Sequence, residues 1–354
     1  MNAKKYRYVP LVMTMLLLQL LVSSCTVASN KAGSSIAEPQ SHTYFIFDTI
    51  ITLRVFDDRM KTSHFTEVEK LLNRIDREMN RQRAGSEIDQ INQMAGLKAV
   101  AVSEETFRVF QTALEYSESS DGKFDLTIGP LVTLWGIGSE SAAVPDSSSL
   151  DQALKLIDYT KVTLDEPTFS VMLAETGMSL DLGSIAKGFA ADVIADYLTA
   201  HHMNSAIIDL GGNIIALGAK PNGSDWSIGI QAPDKQRGQH LGLIKVKDKT
   251  IVTSGIYERF FEENGTLYHH IFNTTTGYPV ANNLLSVTIV TEVSMDADAL
   301  STTVFALGLD AGLTFIEQRK DVEAIFVTTA KEIHLSPGLK GIFELTNHNY
   351  TLAP

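Results

Sequence analysis

Asp298 and Thr302 stand four residues apart in the stretch MDADALSTTVFALG, residues 295–308. On a helix that spacing places both side chains on one face, about one turn apart, so one ion can touch both. A carboxylate and a hydroxyl with no histidine or cysteine nearby in sequence suit a hard cation such as magnesium, which completes its octahedron with water and substrate phosphate. The same stretch admits a purely structural reading. Asp296 or Ser294 could cap the helix, and acidic side chains favour its positive end in any case.

Two further segments carry chemistry-bearing residues. MSLDLGSIAKGFAAD, residues 178–192, ends a strand at Asp181, turns through Gly183 and Ser184 and opens a helix. Free N–H groups at a helix start attract phosphate, and Lys187 in the first turn adds a point charge. Its spacing is not that of a Walker loop, and a glycine turn into a helix is also ordinary punctuation. In YHHIFNTTTGYPV, residues 268–280, the adjacent histidines of a strand point to opposite faces, so His269 and His270 cannot both serve one centre. A strand histidine is by default a core or surface residue; beside a phosphoryl site, an imidazole can accept a proton at neutral pH.

The elements that must position these residues follow from periodicity. YFIFDTIITLRVF reads as a strand, SHFTEVEKLLNRIDREMN as a helix capped by Ser63, and residues 104–119 as a second helix. Short strands are expected around Val162 and Val171, then a strand-to-helix passage over 179–198. Residues 206–272 alternate apolar and polar side chains between turn signals, which predicts several antiparallel strands, and Asn264-Gly265 suits a type I′ hairpin. Strand 286–290, helices 296–307 and 311–319 and strand 322–328 complete the pattern. No repeat or internal linker is visible, so the fold class expected is α+β: one domain over 42–354, with antiparallel sheet regions packed against helices.

The chain opens with Lys4, Lys5 and Arg7, an apolar run from Val9 to Val22, and the sequence LVSSC ending at Cys25, the only cysteine among 354 residues. The apolar run is short for a membrane span and has the layout of a secretory signal. LVSSC resembles a bacterial lipoprotein cleavage box, which predicts a signal peptide over 1–24, lipidation of Cys25, a polar tether over 25–41, and an exported protein facing the periplasm or cell exterior. A lone cysteine excludes an internal disulfide. Removal of the leader takes the formal charge from −13 to −16, which argues against a nucleic-acid partner.

The three segments, in this order and together with SEIDQIN (86–92), GKFDLTIGPLVTLWG (122–136), LGGNI (210–214) and SGIYERFFEENGTLYHHI (254–271), resemble the ApbE family of flavin transferases. The resemblance implies a reaction in which FAD binds with Mg²⁺ across its diphosphate, a threonine or serine hydroxyl of an acceptor flavoprotein attacks the FMN-side phosphorus, and AMP leaves. By motif position, Asp298, Thr302 and the Ser184 carbonyl would ligate the metal. Asp181, Lys187, Lys123, Phe124, Asp125 and Ile271 would contact FAD, as would Phe47 and Gln82, and His270 would be the general base. The acceptors implied are subunits of membrane redox complexes. Three departures stand out: Gln82 where many members carry tyrosine, Asn273-Thr274 in place of Asp-Pro, and FDT (47–49) in place of MGT. A looser grip on FAD would favour hydrolysis to FMN and AMP, an FAD pyrophosphatase, and a non-catalytic FAD-binding lipoprotein is the reading from another class.

Overall fold

The computed structural model describes residues 38–354, so the expected signal peptide and Cys25 lie outside the described residues. From Gln40 the chain forms a hairpin, β1 (Gln40–Ile46) and β2 (Thr49–Val55). The single strand expected over YFIFDTIITLRVF is therefore two, reversing at Phe47 and Asp48, whose φ angles are +58° and +55°. A two-residue reversal with positive φ at both positions ordinarily carries Asn-Gly or Asp-Gly; Phe-Asp gives no such signal.

Helix α1 (Thr62–Met79) buries Phe65, Val68, Leu72, Ile75 and Met79, the stripe that predicts it. Its cap position is Lys61 and makes no side-chain bond; Ser63, expected there, lies inside the first turn. Helix α2 (Glu87–Gln93) is capped by Ser86, which accepts the Asp89 N–H at 3.0 Å. There follow β3 (Val100–Ala101), α3 (Glu104–Ser119), α4 (Gly129–Trp135), α5 (Ser147–Leu154), β4 (Val162–Asp165) and β5 (Ser170–Leu173). Instead of the strand expected near 179, Ser179 makes a lone parallel bridge to Ile128, and α6 runs Ala186–Ala200.

The alternating region yields β6 (Ala206–Leu210), β7 (Asn213–Leu217), β8 (Trp226–Gln231), β9 (His240–Val246), β10 (Lys249–Gly255), β11 (Phe260–Glu263) and β12 (Thr266–His269). Between the last two, Asn264 and Gly265 take positive φ, as the expected hairpin requires. Then come β13 (Leu284–Thr291), α7 (Ser294–Leu307), α8 (Leu309–Glu317) and β14 (Glu323–Thr328). Beyond the expected last strand the chain adds β15 (Glu332–Leu335), β16 (Phe343–Leu345) and β17 (Thr351–Leu352).

Nine strands form one sheet in the order β1-β2-β6-β7-β10-β13-β14-β15-β17, antiparallel except for the β15–β17 pair. Both faces of its centre are covered. Along β14, Ala324 and Phe326 join the core shared with α7 and α8, whereas Ile325 and Val327 join the core shared with the small sheet β16-β9-β8. Strand β13 is accordingly buried along nearly its whole length. Toward β1, β2 and β6 the helical face packs α1 and α6. The architecture is the α+β fold expected, with helices on one face and a second sheet on the other. Among the described residues no helix is long and apolar enough to cross a membrane.

Candidate active site

Helices α6 and α7 meet at their N-termini, and glycine at one position permits it. A Cβ on Gly188 would lie 2.2 Å from the Ser294 carbonyl oxygen and 2.7 Å from the Met295 Cα. The approach lets Asp192 of α6 cap α7: its two carboxylate oxygens accept the N–H groups of Ser294 and Met295, each at 2.8 Å. Neither Asp296 nor Ser294 is the cap. Asp296 lies against Tyr116, and the Ser294 hydroxyl donates to Asn213 Oδ1 at 2.6 Å. Burial pushes the Asp192 carboxyl up to about 6, against the pull of the two N–H groups.

The same junction delivers Asp298. It is buried, and its Oδ2 accepts the Gly188 N–H at 3.0 Å. That N–H is one of the first-turn donors that have no partner within the helix, so Asp298 caps α6 from α7; the Ser184 carbonyl, just before the helix, accepts no hydrogen bond among the described residues. Lys187 Nζ lies 3.5 Å from Asp298 Oδ1 and donates to the Gly183 carbonyl at 3.1 Å. Thr302 follows one turn along α7, and its hydroxyl has no hydrogen-bond partner among the described residues. A carboxylate, a free hydroxyl and a free carbonyl are hard oxygens, the donor type magnesium takes. No group of three or more His, Cys, Asp or Glu side chains converges among the described residues, so any ion here would take the rest of its shell from water or substrate.

His269 and His270 separate as the strand alternation predicts. His269 is buried; its Nε2 donates to the Val280 carbonyl at 3.1 Å, its Nδ1 accepts the Ile271 N–H at 3.3 Å and its ring packs edge-to-face on Phe305, so both ring nitrogens are taken up in holding the local structure. His270 is half-buried at the cavity wall. Its Nδ1 lies 3.1 Å from the Arg259 carbonyl, an acceptor only, so Nδ1 must carry the proton and Nε2 keeps its lone pair. Loss of hydration, helped by the positive field of Arg259 and Lys187, pushes the imidazole down to about 4.

Every residue proposed from the sequence for metal, FAD or base lines one cavity of about 470 Å³: Phe47, Gln82, Lys123, Phe124, Asp125, Asp181, Ser184, Lys187, His270, Ile271, Asp298 and Thr302. They arrive there differently. Phe47 enters at the tip of the β1–β2 hairpin. Asp125 is buried, with its carboxylate accepting Thr127 N–H and O–H, both at 2.7 Å, and Tyr159 N–H at 3.1 Å, so it holds the loop that carries Lys123 and Phe124. Asp181 accepts the Gly183 N–H at 2.7 Å and faces Arg81 Nε at 3.5 Å. Asn273, one of the departures, holds the Thr275 and Thr276 N–H groups and is not part of the wall.

The wall also contains residues the sequence reading did not single out: Arg81, Asn213, Arg237, Glu258 and Arg259. Glu258 and Arg259 belong to the motif SGIYERF, and Asn213 to LGGNI; Arg81 and Arg237 stand in polar stretches with no distinguishing spacing. Asp192 ends the motif DLGSIAKGFAAD, but only the tertiary contact reveals that it caps another helix.

The sequence model of the ApbE family matches residues 47–326. The chain belongs to the ApbE family. An FAD:protein FMN transferase of Klebsiella pneumoniae is 41% identical over 271 residues, covering 77% of this chain and 84% of its own length. One of Treponema pallidum is 36% identical over 331 residues, covering 89% and 91%. Among solved structures, the ApbE protein of Thermotoga maritima superposes with a TM-score of 0.79 at 30% identity, over 86% of this chain and 99% of that one. The flavin transferase ApbE of Vibrio cholerae gives 0.78 at 27% identity, with the same coverages.

Proposed function

We propose that this chain transfers the FMN half of FAD to a threonine or serine hydroxyl of an acceptor flavoprotein, releasing AMP, with magnesium held where α6 meets α7. Transfer to protein is the activity its ApbE relatives are named for. The observation that supports the metal assignment is that Ser184, Asp298 and Thr302 line one cavity, with the Asp298 carboxylate buried and the Ser184 carbonyl without a hydrogen-bond donor among the described residues. A magnesium ion bound to Ser184, Asp298 and Thr302 would neutralise the diphosphate and polarise the phosphorus.

The chain's own residues supply the rest. Lys187, resting between Asp298 and the Gly183 carbonyl, would turn its ammonium to the phosphates. Phe47, Gln82, Phe124 and Ile271 would bound the bases and rings, and closure of the wall around them would exclude water. His270 Nε2 would take the proton of the acceptor hydroxyl as its oxygen bonds to the FMN-side phosphorus. The P–O bond to AMP then breaks, and AMP departs with the electron pair. Gln82 stands in the wall where many members carry tyrosine; a looser grip on FAD there would favour hydrolysis to FMN and AMP, the alternative reading.

Export and lipidation at Cys25 complete the reading, supported by the basic residues, apolar run and LVSSC box of the leader. They would bring the site to the membrane surface, where subunits of membrane redox complexes present their hydroxyls. The test is incubation of the mature chain with FAD, Mg²⁺ and an acceptor, followed by a denaturing gel. Fluorescent flavin on the acceptor with AMP in solution is expected; FMN and AMP with an unlabelled acceptor would indicate a hydrolase, and bound FAD without turnover a carrier.

A further inference from the structure

The loop between β8 and β9 is built to hold one cation at the cavity. Gln231 Nε2 donates to the carbonyls of Ala232, Lys235 and Gln236, at 2.9, 3.2 and 3.2 Å, and its Oε1 accepts the Gly238 N–H at 3.1 Å. From outside, the Asp234 carboxylate is held by Lys331 Nζ and the Tyr350 hydroxyl, each at 2.7 Å. The residue this framework presents is Arg237, which lines the cavity beside the Gly211-Gly212 turn.

Only one hydrogen bond occupies its guanidinium among the described residues, a donation from Nη2 to the Gly211 carbonyl. Arginine carries five N–H donors in a planar fork, so most remain available. Glu258 lies within the field of Arg237, Lys187 and Arg259, yet Lys187 pairs with Asp298 instead, and neither arginine has an ion-pair partner among the described residues. In a chain of formal charge −13, this wall keeps two arginines, Arg237 and Arg259, that make no ion pair among the described residues.

We propose that Arg237 is a recognition residue for the diphosphate of FAD, a second cation beside Lys187. A planar fork matches phosphate oxygens two at a time, and the bond to Gly211 fixes its resting place at the wall. The inference rests on FAD being the dinucleotide bound in this cavity. It adds a residue to the binding machinery that lies on a loop far in sequence from the helix starts that carry the other phosphate-directed groups.

The test is direct binding, by fluorescence quenching for FAD and riboflavin and by competition for ADP, with Mg²⁺ present. Arg237→Ala should weaken FAD and ADP about tenfold or more, the loss expected for charge-assisted hydrogen bonds, and leave riboflavin, which has no phosphate, unchanged. Arg237→Gln keeps an amide donor for the Gly211 carbonyl but removes the charge, so it should lose as much as Ala, whereas Arg237→Lys, which keeps the charge but not the planar fork, should recover only part of the affinity. Equal FAD and ADP affinities in wild type and Arg237→Ala would overturn the assignment, as would full recovery in Arg237→Gln or an equal loss for riboflavin, since both mark a structural role. An unchanged affinity with a raised KM for the acceptor alone would also overturn it, placing Arg237 at the acceptor instead. A wild-type chain that binds riboflavin as tightly as FAD would refute the dinucleotide reading itself.

Discussion

His270 shows how a single hydrogen bond selects a chemical role. The Arg259 carbonyl forces the proton onto Nδ1, and burial holds the ring neutral, so Nε2 is a ready acceptor across the ordinary working range. His270→Ala is expected to lower the transfer rate by about 10²–10⁴-fold while FAD still binds, measured by single-turnover labelling and by fluorescence quenching. The pH profile carries a sharper expectation. kcat/KM reports the free chain, and an imidazole pushed down to about 4 should keep it level down to about pH 5, where an ordinary histidine would already have cut it near 6.5. Residue types and spacing located Asp298, Thr302 and Lys187 in the sequence because their chemistry is local to short motifs, whereas the choice of His270 over His269 came from the family resemblance. Arg81, Arg237 and Asn213 were not legible, since nothing along the chain distinguishes a cavity-facing arginine or asparagine from a solvated one.

The junction of α6 and α7 determines where the site residues meet. Gly188→Ala makes the case testable by sign: helix propensity alone predicts stabilisation of about 1 kcal/mol, whereas a Cβ 2.2 Å from the Ser294 carbonyl predicts a loss of about 1–3 kcal/mol. Chemical denaturation decides between them, and metal affinity should fall with stability because the displaced helix carries Asp298. Asp192 gives a second handle. Its carboxyl is raised from 3.8 to about 6 in the fold, so the folded state holds the extra proton between those values, and stability contributed by this group is lost as pH rises through 6. The stability of wild type relative to Asp192→Asn should therefore fall by roughly 2–3 kcal/mol from pH 4 to pH 7, read from paired denaturation curves; a flat difference would remove Asp192 from the account. Helices α1 and α3 were legible from their apolar stripes. The β1–β2 hairpin was not, because its Phe47-Asp48 reversal places a bulky aromatic at positive φ and has no glycine, and neither was the cap of α7, because its donor and acceptor lie 102 residues apart.

Across the molecule, the nine-stranded sheet acts as a wall that carries helices on one face and the β16-β9-β8 sheet on the other. Alternation over 206–272 was enough to predict strands there, but not to assign β8 and β9 to a second sheet, since strands of either sheet alternate alike. The C-terminal strands β15 to β17 are short and gave little periodic signal. At the same scale stands the leader: if Cys25 is the lipidated residue, Cys25→Ser should abolish incorporation of labelled palmitate and move the chain from the detergent to the aqueous phase on detergent partitioning, with transfer activity in solution unchanged. The proposed cation site at the start of α7 is reached most directly by titration of Mn²⁺ into the chain with FAD present, followed by electron paramagnetic resonance. One tight Mn²⁺ site per chain in wild type, lost in Asp298→Asn while the fold is retained, is the predicted result. The same tight site in Asp298→Asn would contradict it.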